Sequence, residues 1–192
     1  MKAENCALVI LASGLSTRFG DTDKLVAEFR GKPLVQYAID AARGIHFAAR
    51  FAVIPMTSTA RRKLFNYEGY FLVENDKPEA GQGRSLKLAA EAAIAKDYKA
   101  ICVMLGDMPF VIESDLRSLL NNLVDKDRAI SYCNKTLLPP AIFADGALTE
   151  LASIQASGGA KGLFNYDNTY KHPLSERAAR DIDTPETLAE LS

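Results

Sequence analysis

The residues best suited to bind phosphate groups follow the first apolar segment of the sequence. That segment leads into LASGLSTRFG at residues 11–20, and Lys24 follows four residues later. Glycine allows backbone N–H groups to approach phosphate oxygens, while Arg18 and Lys24 can offset the negative charge of a triphosphate. The loop has neither the Gly-Lys-Ser/Thr of a Walker A motif nor the GxGxxG of a dinucleotide site. The alternative is a glycine loop that joins a strand to a helix and carries two solvated cations.

An aspartate occupies a position where an open α/β sheet commonly places a ligand-binding side chain. Asp107 lies in VMLGDMP at residues 103–109, just after a second apolar segment. Such sheets bind ligands beyond the carboxyl ends of their strands, and hard divalent cations prefer oxygen ligands. Asp107 is therefore a candidate metal ligand, whereas in the alternative interpretation it only caps a turn.

Two further segments combine residue types that suit a nucleotide site. GQGRSL at residues 81–86 places two glycines at the start of a predicted helix, where free N–H groups and the helix dipole attract a base or phosphate. Residues 180–186 read RDIDTPE, so Asp181 and Asp183 share one side if this segment is extended. The alternatives are an ordinary helix start for the first segment and acids at a helix N-terminus for the second.

The elements that must position these residues alternate along the chain. Short apolar segments and longer amphipathic ones follow one another, which predicts an α/β fold with a Rossmann-like, doubly wound, mostly parallel sheet and helices on both faces. The predicted strands are Ala7–Leu11, Phe51–Pro55, Tyr70–Glu74, Ala100–Leu105 and Ala129–Cys133, with Asn168–His172 as a further candidate. The predicted helices are Pro33–Arg43, Thr59–Asn66, Ser85–Lys96, Ser114–Val124, Leu148–Ala156 and Thr184–Leu191. Ser114 and Thr184 are the expected N-caps, Pro185 the first residue of the last helix, and Gly158-Gly159 the stop after the fifth.

Length and charge narrow the class of protein. The 192 residues, without a repeat or linker, predict one domain over residues 1–192. A net charge of -1 argues against a nucleic-acid surface, which normally needs a basic excess. The first apolar segment is too short to span a membrane or to form a signal peptide, so we expect a cytoplasmic protein without a membrane partner.

Taken in order, the four segments resemble the MobA-like NTP transferase family, and within it the molybdenum cofactor cytidylyltransferases. The family signature is LAxGxSxRxG followed closely by Lys, then GKPL, GDxP and DIDTPExL; here these stand at residues 11–20, 31–34, 106–109 and 181–188. The stretch at residues 81–86 is similar to the GxxxSL of the cytidylyltransferase branch. The resemblance covers nearly the whole chain and implies a fold of the nucleotide-diphospho-sugar transferase type.

The resemblance also implies a set of site residues. The expected nucleotide-binding residues are Leu11, Ala12, Ser13, Gly14, Arg18, Lys24, Gly81, Gly83 and Ser85. The expected catalytic residues are Arg18, Lys24 and Asp107, and the expected Mg²⁺ ligands are Asp107 and Asp183. Backbone N–H groups of residues 12–14 are expected to contact the base and phosphates, and both cations are expected to be reachable by solvent before nucleotide binds.

The implied reaction transfers a nucleotidyl group from an NTP to a phosphorylated small molecule and releases pyrophosphate. Residues up to about 110 would bind the NTP, and the remainder would shape the acceptor site. The molybdopterin cofactor is the first candidate acceptor, with contact to a molybdoenzyme or its chaperone as an implied partner interaction. A sugar or alcohol phosphate remains an alternative acceptor, because the family's later GDxGAR appears as ASGGAK at residues 156–161 without its aspartate. A nucleotide-binding scaffold without turnover is the alternative from another class.

The base is expected to be cytosine. Ser13 beside Gly14 leaves less space than the Gly-Gly pair of the guanylyltransferase branch, and a pyrimidine needs less space than a purine. We therefore expect CTP to be preferred over GTP, with a difference of roughly 1–3 kcal/mol for one methylene-sized change in a pocket.

Overall fold

The computed structural model describes residues 1–20, 22–155, 160–164 and 168–192, apart from the side chain of Lys161. The strands of the described chain are β1 Ala7–Leu11, β2 Glu28–Phe29, β3 Lys32–Pro33, β4 Ala49–Pro55, β5 Phe71–Asn75, β6 Ala100–Leu105, β7 Arg128–Cys133, β8 Thr136–Ala144 and β9 Thr169–Pro173. The helices are α1 Gln36–Arg43, α2 Thr59–Tyr67, α3 Gln82–Ile94, α4 Glu113–Asn121, α5 Asp145–Ala152 and α6 Pro185–Leu191. None of the described helices is both long and apolar enough to cross a bilayer.

A seven-stranded sheet with the order β5-β4-β1-β6-β8-β7-β9 forms the centre of the fold. β4, β5 and β6 run parallel to β1, and β7 and β9 run in the same direction; only β8 is antiparallel to its neighbours. β1 is buried along its whole length because it lies between two parallel neighbours and is covered on both faces. The predicted doubly wound, mostly parallel α/β sheet is thereby confirmed.

Two apolar cores lie on opposite faces of this sheet. Alternate residues of β1 point to opposite faces, so Leu8 and Ile10 enter one core and Val9 the other. The first core receives the apolar sides of α1, α2 and α4, and the second those of α3 and α5. The loops that follow β1, β5 and β6 therefore meet at the carboxyl edge of the sheet, between the two helical layers.

The start of the first predicted helix is wrong. Pro33 belongs to β3 and pairs with Glu28 of β2, and α1 begins at Gln36. Proline fits either the first turn of a helix or a short edge strand, because neither requires its missing N–H group. The local sequence therefore could not distinguish the two.

The largest omission of the sequence analysis is β8, which lies between β6 and β7. Adjacent prolines at positions 139 and 140 argue against a strand, because proline cannot donate to the ladder. The structure accommodates them at an irregularity: Ile130 pairs with Ala141, whereas Ser131 pairs with Leu138, so both prolines are passed over. The hydroxyl of Ser131 donates to the carbonyl of Pro140 at 2.9 Å.

Several helix ends also differ from the prediction. Ser114 is not an N-cap, because α4 already begins at Glu113, and the carboxylate of Asp115 accepts a hydrogen bond from the N–H of Ile112 at 3.0 Å. α5 begins at Asp145 and ends at Ala152; the predicted end at Ala156 and the stop at Gly158-Gly159 lie outside the described residues. The prediction for α6 is confirmed, since Thr184 Oγ1 accepts from the N–H of Thr187 and Pro185 is the first helical residue.

Candidate active site

A cavity of about 190 Å³ opens at the carboxyl edge of the sheet, beyond β1, β5 and β6. Its lining residues are Leu11, Ser13, Gly14, Pro78, Gly81, Gln82, Ser85, Leu105 and Asp107. Six of the predicted site residues are among them: Leu11, Ser13, Gly14, Gly81, Ser85 and Asp107. Three segments that are far apart in the sequence thus form one pocket, which we call the nucleotide cavity.

Four predicted nucleotide-binding residues do not line the nucleotide cavity: Ala12, Arg18, Lys24 and Gly83. Gly83 is buried within the first turn of α3, behind Gly81 and Gln82. Ala12 is 1% exposed, and its N–H donates to the carbonyl of Val53 at 2.8 Å. The expectation that the N–H of Ala12 contacts a base or phosphate is therefore wrong, because the pairing of β1 with β4 continues for one residue beyond the strand and occupies that group.

The rest of the loop after β1 offers free donors. The backbone N–H groups of residues 13–18 have no hydrogen-bond acceptor among the described residues. Ser16, with φ of 55°, turns the backbone into the left-handed region just before the 3-10 turn Thr17–Phe19. A row of N–H groups without partners near a cavity is an arrangement that binds anions.

A buried arginine that the sequence analysis missed holds this loop in place. Arg61 of α2 is 3% exposed, and its NH1 donates to the carbonyls of Ala12 and Gly14 at 2.6 and 2.8 Å. Its NH2 donates to the hydroxyl of Ser16 at 3.0 Å. Because the loop carbonyls point toward Arg61, the neighbouring N–H groups are left available on the other side.

Asp23 is the carboxylate that balances the charge of Arg61. The guanidinium donates from Nε to Asp23 Oδ2 at 2.8 Å and from NH2 to Oδ1 at 2.7 Å, a two-point contact that fixes its orientation. Asp23 Oδ1 also accepts from the N–H of Leu25 at 3.1 Å. Asp23 therefore anchors the loop and leaves Lys24 free for other partners; Asp21, the other neighbouring acid, lies outside the described residues.

The four charged residues that the sequence predicted as catalytic or metal-binding are in contact. Lys24 Nζ lies 2.7 Å from Asp107 Oδ2 and 2.9 Å from Asp183 Oδ1. Arg18 NH1 lies 2.8 Å from Asp183 Oδ2. The backbone joins the same segments, since the N–H of Ile182 donates to the carbonyl of Asp107 at 3.0 Å. The extended segment before α6 therefore places Asp183 beside the loop after β6.

Exposure distinguishes the two cations of this cluster. The side chain of Arg18 is 70% exposed, as expected, whereas that of Lys24 is 11% exposed. The expectation that solvent reaches Lys24 is wrong, because two carboxylates hold its ammonium between them. Burial acts to lower the pKa of Lys24, but the carboxylates of Asp107 and Asp183 outweigh it and raise that pKa. The hydrogen bond from Lys24 lowers the pKa of Asp183, and the charge of Arg18 adds to the effect.

The carboxylates are suited to hold a divalent cation. Asp107 Oδ1 is buried and has no hydrogen-bond partner, so one oxygen of this side chain is available as a ligand. Within the described chain, no three His, Cys, Asp or Glu side chains lie close enough to hold a metal. A cation held by Asp107 and Asp183 would thus take its remaining oxygens from water and phosphates, as Mg²⁺ does at phosphate sites.

A second missed residue lies beneath the nucleotide cavity. Asn75, the last residue of β5, is fully buried, and its Nδ2 donates to Ser13 Oγ at 2.9 Å and to Ser85 Oγ at 3.3 Å. The one available signal was a polar residue at the carboxyl end of an apolar strand. Asn75 connects the loop after β1 with α3.

A smaller apolar cavity of about 50 Å³ adjoins the nucleotide cavity through Gln82. Its other lining residues are Leu86, Val103, Ile130, Leu137, Leu138, Pro139, Ala141, Phe143, Ala160 and Phe164. They belong to α3, β6, β7, β8 and the 3-10 turn Ala160–Phe164. Residues 156–159, most of the altered late motif, lie outside the described residues.

The chain is similar in sequence to longer curated proteins. The bifunctional protein GlmU of Rhizobium etli (strain CIAT 652) is 29% identical over 183 residues, which cover 92% of this chain and 40% of GlmU. GlmU of Rhizobium rhizogenes is 25% identical over 187 residues, again 40% of its length. The chain thus spans less than half of the curated relatives it matches.

Solved structures share the fold over nearly all of their length. Rv0371c from Mycobacterium tuberculosis H37Rv superposes with a TM-score of 0.80 at 23% identity, covering 97% of each chain, and a further structure of it is a manganese complex. A CMP:2-keto-3-deoxy-manno-octonic acid synthetase complexed with CTP superposes with a TM-score of 0.73 at 14% identity, covering 97% of this chain and 96% of its own. Molybdopterin-guanine dinucleotide biosynthesis protein A from Archaeoglobus fulgidus gives 0.68 at 20% identity, covering 96% of each chain.

The family itself follows from the sequence. The model of the MobA-like NTP transferase domain matches residues 8–174, from β1 to the residue after β9. The matched range contains the loop after β1, the nucleotide cavity and Asp107. The chain therefore belongs to the MobA-like NTP transferase family.

Proposed function

We propose that this protein is a nucleotidyltransferase that transfers CMP from CTP to a phosphorylated acceptor and releases pyrophosphate. The observation that carries the proposal is the contact of Lys24 with Asp183 and with Asp107, which lines the nucleotide cavity. The cavity shares Ser13 and Gly14 with the loop of free N–H groups, and it shares Asp107 with the charged cluster, so a base, phosphates and a metal could be bound next to one another. In this proposal the whole chain acts as one domain, with residues up to about 110 binding the NTP.

The NTP would lie with its base in the nucleotide cavity and its phosphates along residues 13–18. The N-terminus of α3 adjoins the cavity at Gly81, where the helix dipole favours acceptor groups of the base or a phosphate. Arg18 is exposed and can turn toward the β- and γ-phosphates, while Lys24 can exchange one carboxylate contact for a phosphate oxygen. Both would stabilise the departing pyrophosphate, on which negative charge grows during the reaction.

Asp107 and Asp183 would hold Mg²⁺ beside the α-phosphate. The free Oδ1 of Asp107 supports this assignment, as does the manganese complex of Rv0371c. When bound, the metal would neutralise charge on the phosphate oxygens and so favour attack at phosphorus.

The acceptor would approach from the side of the apolar cavity beyond Gln82. An ionised phosphate oxygen of the acceptor attacks the α-phosphorus in line; the new O–P bond forms as the bond to the bridging oxygen of pyrophosphate breaks. Positioning and charge stabilisation carry the reaction, and no protein group needs to remove a proton. This agrees with the location of His172, which contacts Asp115 of α4 and does not line the nucleotide cavity.

The molybdopterin cofactor is the proposed acceptor. The family membership and the likeness to a molybdopterin-guanine dinucleotide biosynthesis protein support it. The apolar lining at residues 137–139 would suit the body of a ring-containing acceptor better than a free sugar. A sugar or alcohol phosphate is the second candidate, supported by the likeness to a synthetase of a CMP-linked sugar acid.

CTP is the proposed nucleotide on grounds of space. Ser13 lines the nucleotide cavity and carries a side chain where a Gly-Gly loop would have none. The CTP bound in the similar synthetase supports the same choice.

The test is a panel of the four NTPs with Mg²⁺, in which pyrophosphate release is measured with molybdopterin cofactor and with several sugar phosphates. We expect release with CTP and the cofactor, and a clear preference for CTP in competition with GTP. Turnover only with sugar phosphates would show that the acceptor is a sugar phosphate and not the molybdopterin cofactor. Equal turnover of GTP and CTP would contradict the proposed preference for cytosine. Nucleotide binding without pyrophosphate release from any pair would favour a scaffold.

A further inference from the structure

Three buried polar side chains form the floor of the nucleotide cavity: Ser13, Asn75 and Ser85. We call them the polar floor. Both serines line the cavity, while Asn75 lies beneath them and is fully buried. An amide buried at such a place has to satisfy its hydrogen bonds within the protein, so its partners fix its orientation.

The orientation of the Asn75 amide is fixed by two neighbouring groups that can donate a hydrogen bond but cannot accept one. Its Oδ1 accepts from the backbone N–H of Lys77 at 3.0 Å and from Nε of Arg84 at 3.2 Å. Neither a backbone N–H nor a guanidinium can accept a hydrogen bond, so the oxygen must face them. The amide nitrogen therefore faces the two serines, and its two N–H groups are used by Ser13 Oγ and Ser85 Oγ.

The direction of these bonds determines what the serines offer to a ligand. Each serine oxygen accepts from Asn75, which leaves its hydroxyl hydrogen to be donated elsewhere. Neither hydroxyl has an acceptor within hydrogen-bond distance among the described residues. Because both residues line the nucleotide cavity, both hydroxyls are available as donors to whatever occupies it.

We infer that Asn75 sets the base preference by holding Ser13 and Ser85 as a pair of donors, which together recognise two neighbouring acceptors on one edge of the base. This inference rests on the proposed function, since it concerns the base of the nucleotide. Cytosine offers such a pair in O2 and N3. Uracil places the N3–H donor between its two carbonyls, and adenine presents a donor next to each acceptor on its N1 and N7 edges.

Guanine is the remaining base with neighbouring acceptors, O6 and N7. Its two-ring system must then enter a cavity of about 190 Å³ with that edge first. Hydrogen bonding therefore separates cytosine from uracil and adenine, whereas the preference for cytosine over guanine rests on the space that Ser13 occupies. Asn75 acts as a positioning residue that does not itself touch the base.

The first test uses the unmodified protein. Binding of CTP, UTP, ATP and GTP is measured by calorimetry with Mg²⁺ and without acceptor. Binding of 3-deaza-CTP, in which a CH group replaces N3, is measured under the same conditions. We expect 3-deaza-CTP to bind about tenfold more weakly than CTP, because one serine donor loses its acceptor. Equal affinity for the two would overturn the inference.

The second test reverses the hydrogen bonds. Asn75→Asp keeps the size of the side chain and an oxygen for Lys77 and Arg84, but it presents an acceptor to both serines. Their hydroxyls then donate to the new carboxylate and offer lone pairs to the cavity. CTP should bind about tenfold more weakly or worse, and CTP and 3-deaza-CTP should no longer differ.

Asn66→Asp is the matched control, because Asn66 is exposed on α2 and the substitution adds the same charge. It should leave the preference for CTP over 3-deaza-CTP unchanged. If the unmodified protein binds NTPs but Asn75→Asp discriminates as before, only the inference is wrong. If no NTP binds the unmodified protein, the proposed function and the inference both fall. If Asn75→Asp does not fold, equal affinity of the unmodified protein for CTP and 3-deaza-CTP still overturns the inference.

Discussion

The ammonium group of Lys24 lies between the carboxylates of Asp107 and Asp183, 2.7 Å from one and 2.9 Å from the other. A divalent cation held by the same two carboxylates would have to displace this ammonium at least in part. The ammonium released in this way lies next to the loop that offers free N–H groups. In the proposed reaction, binding of Mg²⁺ with an NTP would thus be coupled to the delivery of Lys24 to the phosphates.

Replacement of Lys24 tests this coupling. Lys24→Met keeps much of the volume but leaves the carboxylates of Asp107 and Asp183 without their shared cation. We expect Mg²⁺ alone to raise the Tm of this variant more than that of the unmodified protein, because no ammonium competes for the two carboxylates. The kcat/KM for CTP should fall about 100-fold or more, because a charge near the leaving pyrophosphate is lost.

Lys63→Met is the control, since Lys63 is exposed on α2. It should change neither the response of the Tm to Mg²⁺ nor kcat/KM. Thermal denaturation with increasing MgCl₂ measures the first effect, and steady-state pyrophosphate release measures the second. A response to Mg²⁺ in Lys24→Met no larger than in the unmodified protein would show that the ammonium and the metal do not compete.

Replacement of Asp107 tests the metal site itself. Asp107→Asn removes the charge and keeps the shape, and Lys24 retains its contact with Asp183. Pyrophosphate release at a fixed low Mg²⁺ concentration should fall about 100- to 1000-fold, which is typical for loss of an electrostatic contact in the transition state. The circular dichroism spectrum should remain that of the folded protein.

Asp97→Asn serves as the control for Asp107→Asn, because Asp97 is exposed after α3 and the charge change is the same. A Mg²⁺ titration of activity measures the difference. Near-normal activity of Asp107→Asn at low Mg²⁺, with an unchanged Mg²⁺ requirement, would falsify the role of Asp107 as a metal ligand.

The strands around the site could be predicted because the hydrophobicity of each segment reflects how deeply the strand is buried. A strand buried on both faces of a parallel sheet needs a continuous apolar segment. β1 has the same first and last residues, Ala7 and Leu11, as the apolar segment from which it was predicted. The last helix was equally clear, because Thr184 and Pro185 are residues with a specific place at a helix start.

The contacts that stabilise the site could not be predicted in this way. Arg61 reaches the carbonyl of Ala12 across 49 residues, and Asn75 reaches Ser13 across 62. Such pairs are determined by the packing of α2 and β5 against the sheet and leave no local pattern. β8 was missed for a different reason: its prolines break the ladder that defines a strand, and only the irregular pairing with β7 accommodates them.

The pair of Asp127 and Arg128 predicts how stability depends on pH. The hydrogen bond from Arg128 lowers the pKa of Asp127 below its ordinary value of 3.8. A carboxyl whose pKa is lower in the folded state stabilises the protein above the unfolded pKa, and this contribution disappears as the pH falls through the folded pKa. Asp127→Asn should therefore lower the Tm at pH 7, and the difference from the unmodified protein should shrink as the pH falls below 3.8.

Asp125→Asn provides the control, since Asp125 is an exposed neighbour in the same loop. Its Tm should follow that of the unmodified protein at every pH. Thermal denaturation between about pH 3 and pH 7 makes the comparison. A Tm difference for Asp127→Asn that stays constant over this range would show that the carboxylate charge of Asp127 does not contribute.

Arg61 allows the most direct test of how the phosphate-binding loop is prepared. Arg61→Lys keeps the positive charge beside Asp23, but a single ammonium cannot contact Ala12, Gly14, Ser16 and Asp23 at once. We expect the free energy of unfolding to fall by roughly 1–3 kcal/mol, because buried carbonyls of the loop lose their donors. The KM for CTP should rise about tenfold with a smaller change in kcat, since the N–H groups of residues 13–18 are no longer held in place before the nucleotide binds.

Arg62→Lys is the matched control for Arg61→Lys, because Arg62 follows directly in α2 and pairs with Glu74 at the surface. The two variants have the same composition and net charge, so urea unfolding and initial rates compare only the two positions. Arg62→Lys should change the unfolding free energy by less than about 0.5 kcal/mol and should leave the KM for CTP unchanged. Equal effects of the two substitutions would mean that the loop keeps its conformation without Arg61. A loss of stability in Arg61→Lys with no change in KM would separate the two roles and would leave Arg61 as a residue of the fold alone.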